Sequence, residues 1–251
     1  MRPFVRGEQD FVAATWDRAV NATVKALTES KEQYEANAVA GVIGAKATNE
    51  EVYLFTRLLK EQIGTDRIAG LSLSPADAFH DDFLIKADKN PNTRGLQAFG
   101  LLNGGASVAD ILAAAEKGEI KALVVFAADL TTAFTQEKLD AALEHVQVIV
   151  CDTDYTNMTT YADVIMPIGT ATETDGTFTN FAGHVQRVKQ AFPPPQQSKP
   201  GWEVLATLGG KLGGFEPTSI SEAFAEAAKN TPAFTGLTYG KLGDLGAPLA
   251  G

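Results

Sequence analysis

Ala122-Leu123-Val124-Val125-Phe126-Ala127, then helical spacing over Gln136–Glu144, then Val146-Gln147-Val148-Ile149-Val150-Cys151: this stretch decides the fold. Each apolar run has strand length and almost no polar face, so each must be covered on both sides, as parallel strands are. A helix between them supplies the crossover that parallel neighbours require. Working outward, Val108–Glu116 reads as the preceding helix and Asp163-Val164-Ile165-Met166-Pro167-Ile168 as a further short strand, closed by Pro167. Towards the N-terminus, Val39-Ala40-Gly41-Val42-Ile43 is another buried run ending in Gly44, and Ile68-Ala69-Gly70-Leu71-Ser72-Leu73 a fourth. Between these two, Thr48 or Asn49 caps a helix with Glu50 and Glu51 in its first turn. That helix buries Val52, Phe55, Leu58, Leu59 and Ile63 and stops at Gly64. Trp16, Ala19, Val20, Thr23, Val24 and Leu27 predict a surface helix over Asp17–Thr28. Alternating strands and helices define an α/β, doubly wound architecture in which the four apolar runs pair in one parallel sheet.

The tail changes character. Gly176–Asn180 and His184–Val188 flank a turn and read as a small hairpin. Pro193-Pro194-Pro195 is a stiff spacer, and Trp202–Leu212 and Ile220–Lys229 are two more helices. The expected organisation is a single domain over residues 1–231, containing a long polar loop at 74–106, and an irregular tail over 232–251. Loops of that length are uncommon unless functional or covered.

Composition narrows the function classes. Of 251 residues, 21 are Lys or Arg and 31 Asp or Glu, a net charge of −10 that leaves too little positive charge to neutralise nucleic-acid phosphates. No run approaches the roughly 20 apolar residues of a membrane helix, so no direct membrane insertion is expected. Met1–Gly7 has no apolar stretch behind it, which predicts no secretory signal and a cytoplasmic location. The one cysteine, Cys151, cannot by itself hold a zinc ion or an iron–sulfur cluster, so the isolated protein is expected to be colourless and iron-free.

Each chemical candidate has a plainer explanation beside it. Gly41 and Gly44 precede a helix, but the glycine spacing of a dinucleotide fingerprint is missing, and a structural turn explains them. His80 lies beside Asp81 and Asp82 in a solvated loop, and His145 and His184 stand far from it. Cys151 ends an apolar strand, where open α/β sheets place ligands, yet a lone cysteine there is most often a small buried hydrophobe. Glu173 and Asp175 beside Gly176 read as turn chemistry. The residues thus assign no catalytic, cofactor-binding or metal site.

A resemblance adds to this. Thr48-Asn49-Glu50-Glu51 with Tyr53, Ala162-Asp163-Val164-Ile165-Met166-Pro167, Glu173-Thr174-Asp175-Gly176-Thr177-Phe178-Thr179-Asn180 and Gly183-His184-Val185-Gln186-Arg187-Val188 follow one another in a specific order. With Thr15-Trp16-Asp17-Arg18-Ala19, Pro193-Pro194-Pro195 and Gly201-Trp202, they resemble the molybdopterin oxidoreductase superfamily from about residue 4 to about 215. The run Asp81-Asp82-Phe83-Leu84-Ile85-Lys86-Ala87-Asp88-Lys89-Asn90-Pro91-Asn92 is similar to the molybdoenzyme-like subunit of bacterial NADH-quinone oxidoreductase (complex I). The resemblance implies a mostly parallel Rossmann-like sheet with a C-terminal hairpin and helices. It departs from the complete complex I subunit in lacking the cysteine-rich iron–sulfur domains and a second Rossmann-like domain. What it implies is a structural or assembly subunit of a complex I-like peripheral arm, with no redox centre or cofactor of its own. Its partners would be the other subunits, and its place peripheral to the inner membrane. The alternative it leaves open is a molybdopterin-binding part of a multi-subunit oxidoreductase. The Gly44–Asn49 and Gly176–Asn180 loops would then lie near the nucleotide, as they do in cofactor-bearing relatives. The same resemblance predicts that Phe83 and Leu84 fold back onto the chain's own body, leaving Asp81, Lys86 and Lys89 at the rim.

Overall fold

Strand β1 (Phe4–Arg6) and strand β2 (Phe11–Ala13) form an antiparallel pair, each too short to leave a periodic signal in the sequence. Helix α1 (Trp16–Tyr34) follows, its first turn capped by the Thr15 hydroxyl, which accepts from the Arg18 amide. Strand β3 (Val39–Gly44) leads to helix α2 (Asn49–Arg57), and a π-helical turn over Leu58–Ile63 ends at Gly64 with φ +91°. Strand β4 (Ile68–Leu71) is shorter than expected, ending before Ser72. Next come helix α3 (Thr93–Ala98), helix α4 (Val108–Glu116), strand β5 (Ala122–Phe126), helix α5 (Gln136–Leu143), strand β6 (Gln147–Asp152) and strand β7 (Val164–Pro167). The hairpin is strand β8 (Gly176–Thr179) and strand β9 (His184–Val188); helix α6 (Gly201–Lys211) and helix α7 (Ile220–Asn230) follow it. This computed structural model describes all residues except Gln9, Ala76, Asp82 and Gly251.

Among the described residues, seven strands form the main sheet in the order β2-β1-β7-β6-β5-β3-β4. The five from β7 to β4 are parallel, and β1 joins β7 antiparallel. Because side chains alternate along a strand, each parallel strand feeds two cores. Ile43, Phe126, Cys151 and Met166 stand in register on one face, under α1, α2 and α6. Val42, Val125, Val150 and Ile165 stand on the other, under α4 and α5. Every residue of β3, β5 and β7 is therefore buried, which is why those runs carry no polar face.

Three expectations need correction. The 74–106 segment is not irregular throughout: α3 lies in it, and Leu96 and Leu101 are buried in the first core. Phe83 and Leu84 do not fold back onto the body; they are 89% and 73% exposed. The backbone there is occupied by its own turn, in which Asp81 Oδ1 accepts the amides of Phe83, Leu84 and Ile85, so the side chains point outward. Asp82 lies outside the described residues. Lastly, the segment from Pro232 contributes helix α8 (Tyr239–Leu242) and strand β10 (Ala247–Pro248), which pairs antiparallel with β9. Its apolar residues Phe234 and Leu242 close a third small core with Phe224 and Val185, a pattern too sparse to read through its glycines.

Candidate functional site

Strand order sets the position of the cleft. From β3 the chain crosses to β4 on one side, then returns to β5 on the other, so the connections that leave the carboxyl ends of β3 and β5 run to opposite faces of the sheet. Crevices at such switch points are where open α/β sheets bind ligands. A cleft of about 770 Å³ opens there, lined among others by Lys46, Ser74, Asn90, Asp129, Asp152 and Asp154. A smaller cavity of about 270 Å³ adjoins it, sharing Lys46, Ala127, Asp152 and Thr153 and reaching Glu51 and Thr170. The two strand ends touch: a Cβ at Gly44 would stand 1.8 Å from the Ala127 carbonyl oxygen, and Ala127 itself takes φ +48°.

The charged groups in the cleft are mostly acidic. Asp129 Oδ1 accepts the Thr131 amide at 2.9 Å and the Thr131 hydroxyl at 2.6 Å. Asp152 Oδ1 accepts the Thr153 amide at 2.7 Å. Burial pushes the Asp152 carboxyl up to about 6, with the Asp129 charge adding to the rise and Lys46 opposing it.

Beside the cleft, the N-terminus of α2 is closed by side chains. Thr48 Oγ1 accepts the Glu51 amide at 3.2 Å, and Glu51 Oε2 accepts the Thr48 amide at 2.8 Å, a reciprocal capping box. Glu50 Oε2 accepts the Thr177 amide at 2.8 Å and Glu50 Oε1 accepts the Tyr239 hydroxyl at 2.7 Å. Asn49 donates through Nδ2 to Thr177 Oγ1 at 3.0 Å and accepts from the Thr179 hydroxyl at 3.2 Å. Asn92 donates to the Ala47 carbonyl at 2.8 Å and accepts the Thr179 amide at 2.8 Å. Gly176 allows the approach, since a Cβ there would meet Thr48 Cγ2 at 2.7 Å. Burial pushes the carboxyls of Glu50 and Glu51 up to about 7 each; hydrogen bonds oppose this, and the Glu50 charge adds to the rise at Glu51.

The residues weighed in the sequence do not converge. Cys151 is buried in the sheet and its thiol is pushed far up by burial, so it offers no thiolate. Glu173 Oε2 accepts the Thr170 amide within a turn, and Asp175 Oδ1 accepts the Gln190 amide across the open end of the β8–β9 hairpin. His80 is exposed in a loop, His184 is exposed at the start of β9, and His145 follows α5. Among the described residues, no group of three or more His, Cys, Asp and Glu can hold a metal ion. Lys46, Asp129 and Asp152 were missed. Their signal was local: each sits within a few residues of the carboxyl end of an apolar strand.

A pyrophosphate-bearing pterin nucleotide fits these residues poorly. Such a group binds free amides at a helix N-terminus or a glycine-rich turn. Here the first-turn amide of Glu51 and the amide of Thr48 are already bonded, and the cleft sets three carboxylates against one ammonium.

The fold and cleft define an open α/β protein with a switch-point crevice. Residues 1–90 and 95–211 match the Molybdopterin oxidoreductase family, and the chain belongs to it. It is 34% identical over 130 residues to a "Putative formate dehydrogenase" of Staphylococcus aureus (strain bovine RF122 / ET3-1) and 33% identical to one of Staphylococcus haemolyticus (strain JCSC1435). Each alignment covers 50% of this chain but only 13% of the relative's length. Acetylene hydratase from Pelobacter acetylenicus superposes with a TM-score of 0.59 at 10% identity, over 96% of this chain and 65% of that one, a likeness of fold alone. Among the described residues, no helix is long and apolar enough to cross a membrane.

Proposed function

We propose that the chain is a non-catalytic body subunit in the peripheral arm of a complex I-like NADH-quinone oxidoreductase, similar to the molybdoenzyme-like subunit of that enzyme. One observation carries this reading. The two loops that would flank a pterin nucleotide are bonded to each other, through Asn49, Glu50, Asn92, Thr177 and Thr179. Their donors and acceptors hold the hairpin on α2. The exposed Phe83 and Leu84 support a place inside an assembly, because an apolar tip among charges suits a partner surface better than water.

The second reading, a molybdopterin-binding part of a multi-subunit oxidoreductase, is favoured by the size and switch-point position of the cleft and by the formate dehydrogenase names of the relatives.

Isolating the tagged chain from its native cells separates the two. The first reading expects subunits of an NADH-quinone oxidoreductase to come with it. A Phe83→Cys variant then reports the interface: Cys151 is buried, so the new thiol alone reacts with a maleimide. Its labelling should be fast in the free chain and suppressed in the assembly. Co-purification with a molybdenum-containing formate-oxidising enzyme would replace the first reading by the second.

A further inference from the structure

The chain contains two dipeptides in which a side-chain carbonyl precedes a glycine amide, Asn103-Gly104 and Asp175-Gly176. Both are primed for ring closure, because glycine leaves its own amide unshielded and lets the backbone rotate into the required geometry. The fold treats them oppositely.

Asp175-Gly176 is held. Gly176 opens β8 in register with Val188 and is buried against Thr48. The Asp175 carboxylate is engaged by the Gln190 amide at 3.2 Å, and the Asp175 carbonyl accepts the Thr174 hydroxyl at 2.9 Å. Ring closure there would need the hairpin to open.

Asn103-Gly104 is exposed and not held. It lies in the bend between α3 and α4, and Asn103, Gly104 and Gly105 are all exposed. Among the described residues, neither the Asn103 side chain nor the Gly104 amide has a hydrogen-bond partner. A Cβ at Gly104 would meet only the Gly100 carbonyl oxygen, at 3.8 Å, and Gly105 takes φ +82°. Both ends of the bend are anchored: Gly70 donates its amide to the Leu101 carbonyl at 2.8 Å, and Ser107 caps α4.

We infer that Asn103 is a site of spontaneous deamidation in the folded protein. The Gly104 amide nitrogen, having lost its proton to solvent base, attacks Asn103 Cγ. The Cγ–Nδ2 bond breaks, ammonia leaves, and a five-membered succinimide joins the two residues. Water then adds to either ring carbonyl and opens the ring to aspartate or isoaspartate. Nothing is oxidised or reduced; water is consumed, ammonia is released, and the chain gains one negative charge. The anchors on both sides confine the altered linkage to the bend, so the core keeps its packing.

The test is ageing of the intact chain in mildly alkaline buffer, followed by peptide mapping and enzymatic methylation of isoaspartate. The expected result is isoaspartate in the peptide spanning residue 103, while the peptide spanning 175 and 176 stays unmodified until the chain is unfolded in urea. Gly104→Ala should slow the reaction roughly tenfold by shielding the amide and narrowing the backbone, with an unchanged melting temperature because the added methyl makes only an ordinary van der Waals contact with the Gly100 carbonyl oxygen. An unmodified Asn103 in the folded chain, or modification at 175 first, overturns the inference. So does an equal rate in Gly104→Ala.

Discussion

Glu50 and Glu51 are the carboxyl groups whose ionisation the fold most resists. Each carboxyl rises from 4.5 to about 7, chiefly through burial. For an acid raised in this way the folded chain keeps protons that the unfolded chain releases. The stability these two groups contribute is therefore fully present below pH 4.5, is lost as pH rises to about 7, and changes no further above. Each group contributes at most about 3 kcal/mol to that fall, less where the two compete for one proton. Thermal melting across this window should show a lower midpoint on the alkaline side, and Glu50→Gln should remove about half of the difference. An unchanged pH slope in Glu50→Gln would show that Glu50 is charged throughout. Gly44 makes a second residue-scale prediction. A Cβ there collides with the Ala127 backbone, which cannot retreat without breaking β5 from its neighbours, so Gly44→Ala should cost about 2–4 kcal/mol in urea unfolding.

Elements were legible where one physical signal dominated. The runs of β3, β5 and β6 are apolar on both faces, and the caps Thr48 and Ser107 each stand before an acidic partner at the third helical position. The apolar pattern alone placed α4 to the residue and the parallel sheet to within a residue or two, and the Ser107 cap is a further signal at the start of α4. The short strands β1, β2 and β10 were invisible because two or three residues leave no period to read, and β1 and β10 also draw their pairing from strands far along the chain. The candidate site was legible only as a resemblance. Thr48–Glu51 and Gly176–Asn180 were singled out, but the sequence does not say that they bond to each other. Asn92, which joins them, sat in an expected loop. Replacing Asn92 by Ala leaves the Thr179 amide and the Ala47 carbonyl buried without partners, at a cost of about 2–4 kcal/mol. Hydrogen exchange should then speed up in β8 and β9 before it does in β5; equal protection in the variant would mean the hairpin is held by other contacts.

At the scale of the whole molecule, the outward placement of Phe83 and Leu84 decides what a charge on this loop would do. A charge at a buried Leu84 would unfold the protein, but at an exposed one it meets water. Leu84→Asp should leave the melting temperature of the isolated chain unchanged within about 2 °C and weaken its retention in the assembly. A large fall in melting temperature would mean that the loop packs on the body after all. The central proposal is that this member of the Molybdopterin oxidoreductase family has its Gly44–Asn49 and Gly176–Asn180 loops closed on each other and acts as a scaffold. The most direct test is the molybdenum, tungsten and pterin-nucleotide content of the native assembly purified through this chain, expressed per copy of it. The account predicts none attributable to this chain, and a pterin nucleotide bound at one per copy and cross-linkable to Lys46 or Thr153 would contradict it.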